Sequence, residues 1–284
     1  MFPGFESTEI LPSLSFGTSF FNDRVSVLGA WSQTVARPTF FEFVPIVSQD
    51  FSSNTIRQGN ANLNNTEISN FDLSAALTFG ESSLVRASLF HKILDDPIVA
   101  RRQPEFPSSI TFENGDSGVI SGLELELNFL ELKPWTINAN VTFIDASLEF
   151  DGGLGSGLSV ETQFPFQPKF IANLNLGYES LENNWGVNLV FNYTGAQNTL
   201  LPATAESPTQ EQQPLLSLDL IGRKTFDWDG VGEFKLSAGI KNLIANDREE
   251  IFVGGSATAA SLQGLTAISE QRLRTFFIGG ELSF

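Results

Sequence analysis

Two adjacent arginines, Arg101 and Arg102, are the residues whose type and spacing most suggest ligand chemistry. Neighbouring guanidinium groups could hold an anionic ligand bidentately. A solvated loop or a lipopolysaccharide contact would use the same pair. His91 is the sole histidine and shares a strand face with Leu89. Metal sites need three or four ligands, so His91 reads as an interface residue. One histidine placed in a strand also leaves no Ser/His/Asp arrangement for nucleophilic catalysis. There is no cysteine, hence no disulfide framework, thiol chemistry or thiolate metal site. The stretch Gly152-Gly153-Leu154-Gly155-Ser156-Gly157 is glycine-rich. No helical pattern follows it, so it reads as a loop rather than a phosphate cradle. Asp227-Trp228-Asp229-Gly230 reads as a turn and lacks the other positions of a calcium loop. No enzymatic activity, cofactor or metal is expected. A net charge of -17 argues against nucleic acid, whose phosphates demand a basic footprint.

The elements that carry these residues are strands. Phe71, Leu73, Ala75, Leu77 and Phe79 alternate with Asn70, Asp72, Ser74 and Thr78. Trp135, Ile137, Ala139, Val141 and Phe143 alternate with Thr136, Asn138, Asn140 and Thr142. Side chains of a strand point alternately to its two faces, so each segment has one greasy and one wet face. Similar segments begin near Leu14, Val25, Val85, Val119, Phe170, Trp185, Leu216, Phe234 and Thr275. That predicts about eleven strands of about ten residues, the length a tilted strand needs to cross a bilayer. Mean hydropathy is +0.00, which is uninformative where lipid-facing and lumen-facing residues cancel. No run of about 18 apolar residues exists, which excludes a membrane helix. The expected fold is therefore all-β, a portion of a transmembrane antiparallel β-barrel. A soluble antiparallel sandwich also alternates, but its strands are shorter, about 5–6 residues.

The connections alternate between short and long. Short turns are expected near Asn22, Gly80, Glu131, Glu182 and Trp228. Long connections run from about Arg37 to Asn65, Asp95 to Gly115, Glu149 to Pro168, Ala196 to Gln213 and Asn246 to Glu270. In outer-membrane barrels the short turns are periplasmic and the long loops extracellular. Trp135, Trp185 and Trp228 then fall beside the periplasmic turns, where an aromatic girdle belongs. Residues on the wet face would face a lumen: Asp72, Glu124, Glu126, Asn138, Asn140, Asn173, Asn188, Asp219 and Lys235. The plainer reading makes each of them solvated wall. Gly279-x-x-Leu282-x-Phe284 resembles the C-terminal signal by which bacterial outer-membrane barrels are recognised by the barrel-assembly machinery, with Phe277 where a polar residue is usual. Met1-Phe2-Pro3-Gly4-Phe5-Glu6 has no basic segment followed by an apolar stretch, so it is not a secretory signal. The chain accordingly reads as a C-terminal piece of a longer protein.

Several segments, in order, resemble TonB-dependent outer-membrane receptors. Trp31-Ser32-Gln33-Thr34-Val35-Ala36-Arg37-Pro38 is similar to the family's segment ending in Arg-Pro. Gly59-Asn60-Ala61-Asn62-Leu63 resembles its Gly-Asn-Pro-x-Leu stretch, with Ala61 in place of proline. Asn70-Phe71-Asp72-Leu73, Phe90-His91-Lys92-Ile93 with Asp96-Pro97-Ile98, Gly118-Val119 to Glu126, and Lys241-Asn242-Leu243 follow at the family's spacing. The resemblance implies a 22-stranded barrel with a plugged lumen. The eleven strands would be its second half, so residues 1–284 form the C-terminal part of the barrel, without plug domain or signal peptide. It also implies residence in the bacterial outer membrane and active uptake of a bulky nutrient such as a ferric siderophore, cobalamin or oligosaccharide. The implied partners are outer-membrane lipid, the plug domain and the TonB system. A smaller passive porin-like or adhesin-like barrel and a soluble β-rich binding protein are the alternatives.

Overall fold

The computed structural model describes residues 8–50, 55–80, 82–103, 109–130, 133–151, 159–202, 204, 207–228, 232–254 and 262–283. The first half of the chain forms β1 (Ser13–Phe20), β2 (Val25–Ala36), a one-turn helix α1 (Phe40–Phe43), β3 (Val47–Asp50), β4 (Thr55–Gln58), β5 (Thr66–Phe79), β6 (Ser83–Asp95), β7 (Ile98–Arg102), β8 (Ser109–Asn114) and β9 (Ser117–Phe129). The second half forms β10 (Trp135–Asp151), β11 (Ser159–Gln163), β12 (Phe170–Ser180), β13 (Trp185–Thr194), β14 (Gln197–Leu200), β15 (Thr209–Gln212), β16 (Leu215–Trp228), β17 (Gly232–Lys241), β18 (Arg248–Val253), β19 (Thr266–Glu270) and β20 (Thr275–Ser283).

Eleven long strands make one continuous wall in the order β1-β2-β5-β6-β9-β10-β12-β13-β16-β17-β20, and β11 branches from the outer end of β10. Every pair in the wall is antiparallel. The register sorts the side chains. Phe16, Gly29, Leu73, Leu89, Leu123, Phe143 and Phe170 form one row across seven strands. Arg86, Glu126, Asn140, Asn173, Asn192 and Ser217 form a row on the opposite face.

Among the described residues, the apolar face carries no second layer. Phe16 is 62% exposed, Leu89 53%, Leu125 42% and Ile278 77%. A soluble protein rarely leaves so large an apolar patch uncovered. In hydrocarbon the same face is satisfied, and the ladder supplies the backbone hydrogen bonds that lipid cannot. The buried core lies elsewhere, where the long connections meet: Val99, Leu148, Phe150 and Leu201, with Val160 and Phe164 packed on them.

Two aromatic residues depart from the alternation, and each faces a glycine. Phe90 points to the polar face, and a Cβ on Gly122 would collide with its ring. Phe277 does the same opposite Gly239, where an added Cβ would lie 2.7 Å from the ring. Beside the short turns, Tyr178 packs edge-on against Trp135 and tilted against Trp185, at centroid distances of 4.9 and 5.2 Å. The first half of one expected turn is strand. Asp227 and Trp228 belong to β16, and Trp228 pairs with Gly232. Asp229 and Gly230 lie outside the described residues, as do Glu131 and the glycine-rich stretch 152–157.

The long connections contain strands the sequence pattern does not announce. β3-β4-β8-β7 and β14-β15-β18-β19 form two four-stranded sheets. In the first, β4 and β8 are parallel. These segments run four to six residues, too short for alternation to separate them from loop.

Candidate functional site

The polar face gathers four of the singled-out residues into one patch. Asn138 lies between Asn128 and Asn175, and Asn140 between Glu126 and Asn173. Asn192 donates to Asn173 at 2.9 Å, and Asn173 donates to Asn140 at 2.8 Å. Arg86 pairs with Glu126 at 2.9 Å. The hollow over this patch measures about 210 Å³. An amide both donates and accepts, so a ladder of them recognises neutral polar groups without charge. Asn128, Asn175 and Asn192 complete the patch; their place in the alternation was visible in the sequence, but which strand faces which was not.

The other polar-face residues stand apart. Asp72 lies between Ala30 and Phe90, and Glu124 between Ser88 and Thr142. Asn188 sits opposite Gly177 and Ile221, and Lys235 opposite Thr225 and Glu281. Asp219 accepts the Asn242 backbone N–H at 2.8 Å. That bond holds the chain as it leaves β17, where Asn242 takes a left-handed conformation with φ of 53°.

Arg101 and Arg102 are not brought together. Successive strand residues point to opposite faces, and both belong to β7. Arg101 is 5% exposed. Its guanidinium bonds Glu113 at 2.8 Å, lies 5.1 Å over the Phe150 ring, and donates through Nε to the Pro202 carbonyl at 3.3 Å. A bridge between Arg101 and Leu201 joins the same two connections. The side chain thus ties three long connections together. Arg102 is half-buried, and desolvation lowers its pKa from the ordinary arginine value. A charge-assisted bond contributes about 1.5–3 kcal/mol. Arg101→Leu is therefore expected to speed limited proteolysis of the long connections roughly tenfold to a hundredfold while heat-modifiable migration of the wall is unchanged. Unaltered cleavage would show that Arg101 does not hold them.

The sequence profile of the family described as "TonB dependent receptor-like, beta-barrel" matches residues 3–243. The chain belongs to that family. Its wall therefore resides in the bacterial outer membrane. The copper transporter OprC has a similar structure, with TM-score 0.64 and 18% identity, covering 96% of this chain and 39% of OprC. A mutant ferric enterobactin receptor (PfeA) from Pseudomonas aeruginosa, in complex with enterobactin, aligns with TM-score 0.63 and 16% identity over 96% of this chain and 40% of that one. The siderophore receptor PirA from Acinetobacter baumannii aligns with TM-score 0.59 and 16% identity over 96% and 41%. The chain thus spans about 40% of the length of the solved structures it matches. No curated protein matches its sequence.

The motifs of this TonB-dependent receptor barrel acquire structural reasons. A Cβ on Gly59 would run into the Val44 carbonyl oxygen and lie 2.8 Å from the carbonyl carbon and 3.0 Å from the Phe41 oxygen. All three are backbone atoms, so nothing flexible can yield. Asn60 donates its backbone N–H to Glu42 at 2.7 Å and its side chain to the Phe112 carbonyl at 2.9 Å. Leu63 is buried. Gly59→Ala is expected to separate α1 from β4 and to raise proteolysis near residues 44–58, leaving the wall folded. Unchanged digestion would refute it. At the C-terminus Gly279 accepts from the Ser237 hydroxyl at 3.4 Å and Leu282 faces Phe234 on the apolar side. Phe284 lies outside the described residues.

Proposed function

We propose that this wall is the C-terminal half of a receptor barrel through which a bulky nutrient, such as a ferric siderophore, cobalamin or an oligosaccharide, is taken up with energy delivered by TonB. The plug domain of the receptor would sit against the polar face. Asp72, Glu124, Glu126, Asn138, Asn140, Asn173, Asn188, Asp219 and Lys235 would contact the plug or line the path it opens. The observation that carries this reading is the eleven-stranded antiparallel wall with an uncovered apolar face and a polar opposite face. Its strand number also weighs against a small passive barrel. Joined by alternating turns, β1 and β20 run in the same direction. Closing the sheet on itself would pair them parallel, unlike every other pair in the wall.

The long connections would form the outer vestibule. Arg102 is the arginine proposed to meet an anionic ligand, with Arg101 holding the strand beneath it. Gly279, Leu282 and Phe284 would serve recognition by the barrel-assembly machinery. The test is uptake of labelled ferric siderophore, cobalamin and oligosaccharide, each in turn, by cells producing the full-length receptor with and without TonB. Uptake of one of them that disappears without TonB supports active transport. Uptake that persists equally supports a passive barrel instead.

A further inference from the structure

We propose that the amide patch around Asn138 and Asn140 is a saccharide subsite, and that the nutrient taken up is an oligosaccharide whose sugar rings pass along this wall. The proposal rests on the receptor reading and selects among its substrates. Asn138 stands between Asn128 and Asn175 in the register. Asn128 Oδ1 and Asn175 Oδ1 are buried, and neither meets a donor among the described residues. Buried polar atoms are rarely left so, and two of them beside one side chain point to a ligand. Turning either amide over would orphan a donor instead of an acceptor. A hydroxyl serves both cases, because it donates and accepts.

Charge and size weigh against the other nutrients. Among the described residues the lining of the hollow holds no lysine or arginine, and its one charged residue, Glu126, repels anions. Arg86 is nearby but is held by Glu126 at 2.9 Å. An anionic metal chelate therefore finds no counter-charge in the patch. A charged substituent on the saccharide would meet Arg102 in the vestibule instead. The hollow measures about 210 Å³, smaller than the roughly 300–1,000 Å³ that encloses a whole drug-sized ligand. One sugar unit of a flexible chain fits at a time, where a rigid chelate or a corrin does not.

The patch continues along the wall. On β10 the residues Thr136, Asn138, Asn140 and Thr142 project to the polar face, about 6.8 Å apart along the strand. Asn173 and Asn192 widen this column across β12 and β13. Towards the short turns, Gly177 leaves the room into which Thr136 and Asn188 lean. An added Cβ there would strike Thr136 Oγ1 and lie 2.8 Å from Asn188 Oδ1. Each neutral hydrogen bond contributes little net free energy. Several weak and similar rungs let a ligand enter and leave, which a conducting path needs. A surface built to seat a plug permanently would instead carry aromatic or apolar anchors at its centre.

The full-length receptor, purified in detergent, is titrated calorimetrically with homo-oligosaccharides of glucose, mannose, galactose, xylose and N-acetylglucosamine, and with cobalamin and ferric enterobactin. At least one oligosaccharide is expected to bind, and cobalamin and ferric enterobactin are expected not to. Asn138→Ala leaves the bonds among Asn140, Asn173 and Asn192 in place, and it is expected to weaken that oligosaccharide roughly threefold to tenfold. The double variant Asn140→Leu, Asn173→Leu is expected to weaken it at least tenfold, with heat-modifiable migration as the check on folding. No oligosaccharide binding, or unchanged binding by Asn138→Ala, overturns the proposal. So does entry of a large antibiotic such as vancomycin into cells producing either variant, which would assign the patch to seating the plug. Binding of ferric enterobactin or cobalamin alone overturns the saccharide and leaves the receptor reading standing. Oligosaccharide uptake that persists without TonB but falls in Asn138→Ala keeps the saccharide and removes active transport.

Discussion

Leu125→Arg is expected to remove most folded protein from the outer membrane, whereas Ser88→Arg, one strand away on the other face, is expected to be tolerated. Leu125 lies on the apolar face opposite Ala87 and Val141, and it is 42% exposed. Val141 is six residues from Trp135, which places this row about 16 Å above the girdle and near the middle of the apolar band. An arginine at the midplane costs about 2–4 kcal/mol, a drop of roughly 30- to 700-fold in the folded ratio. Ser88 pairs directly with Glu124, so a guanidinium there meets a carboxylate in water. Heat-modifiable migration and the amount of protein in the outer-membrane fraction measure both variants. Equal yields would mean that something other than hydrocarbon covers the apolar face.

The same physics decides what the sequence could disclose. Hydrocarbon demands one uniformly apolar face along each strand, so the series Phe71 to Phe79 and Trp135 to Phe143 could be assigned without knowing their neighbours. The alternation of short and long connections follows from a chain that crosses the membrane repeatedly, and it ordered the eleven strands. What a single strand does not encode is its register. The amide patch exists because Asn140 meets Asn173 and Asn173 meets Asn192, a property of three strands at once. The contact of His91 with Ser121 is hidden for the same reason.

Arg101 shows the limit most clearly. Its neighbours in sequence suggest an exposed basic pair, but it is buried, its guanidinium over Phe150 and its backbone bridged to Leu201, both distant in sequence. The loop sheets follow suit. Ile56 of β4 pairs with Ser109 of β8, in parallel, across a long stretch of chain, and strands this short carry no period to detect. Phe90 and Phe277 break the alternation in the sequence, and the reason lies in glycines on neighbouring strands.

That last relation gives a second large effect: Gly122→Ala is expected to prevent the wall from assembling, while Gly222→Ala leaves it intact. At Gly122 an added Cβ would strike the Phe90 ring, 2.7 Å from Cε1, and would lie 2.5 Å from the Phe143 carbonyl oxygen. The ring could rotate away, but the carbonyl belongs to the neighbouring strand β10 and moves only if the ladder opens. Overpacking with no room to relax costs about 3 kcal/mol, roughly a 150-fold loss in the folded ratio. At Gly222 the nearest atom to an added Cβ is the Ala238 carbonyl oxygen at 3.9 Å, an ordinary contact. Both glycines lie inside wall strands, Gly122 on the polar face and Gly222 on the apolar one, and they differ in that space, so the comparison sets close packing against the general disfavour of glycine in strands. The double variant Phe90→Ala, Gly122→Ala removes the ring and leaves the carbonyl, and it is expected to recover part of the folded protein. Full recovery would assign the whole effect to Phe90, and no effect of Gly122→Ala would mean that β6, β9 and β10 are not packed in this register.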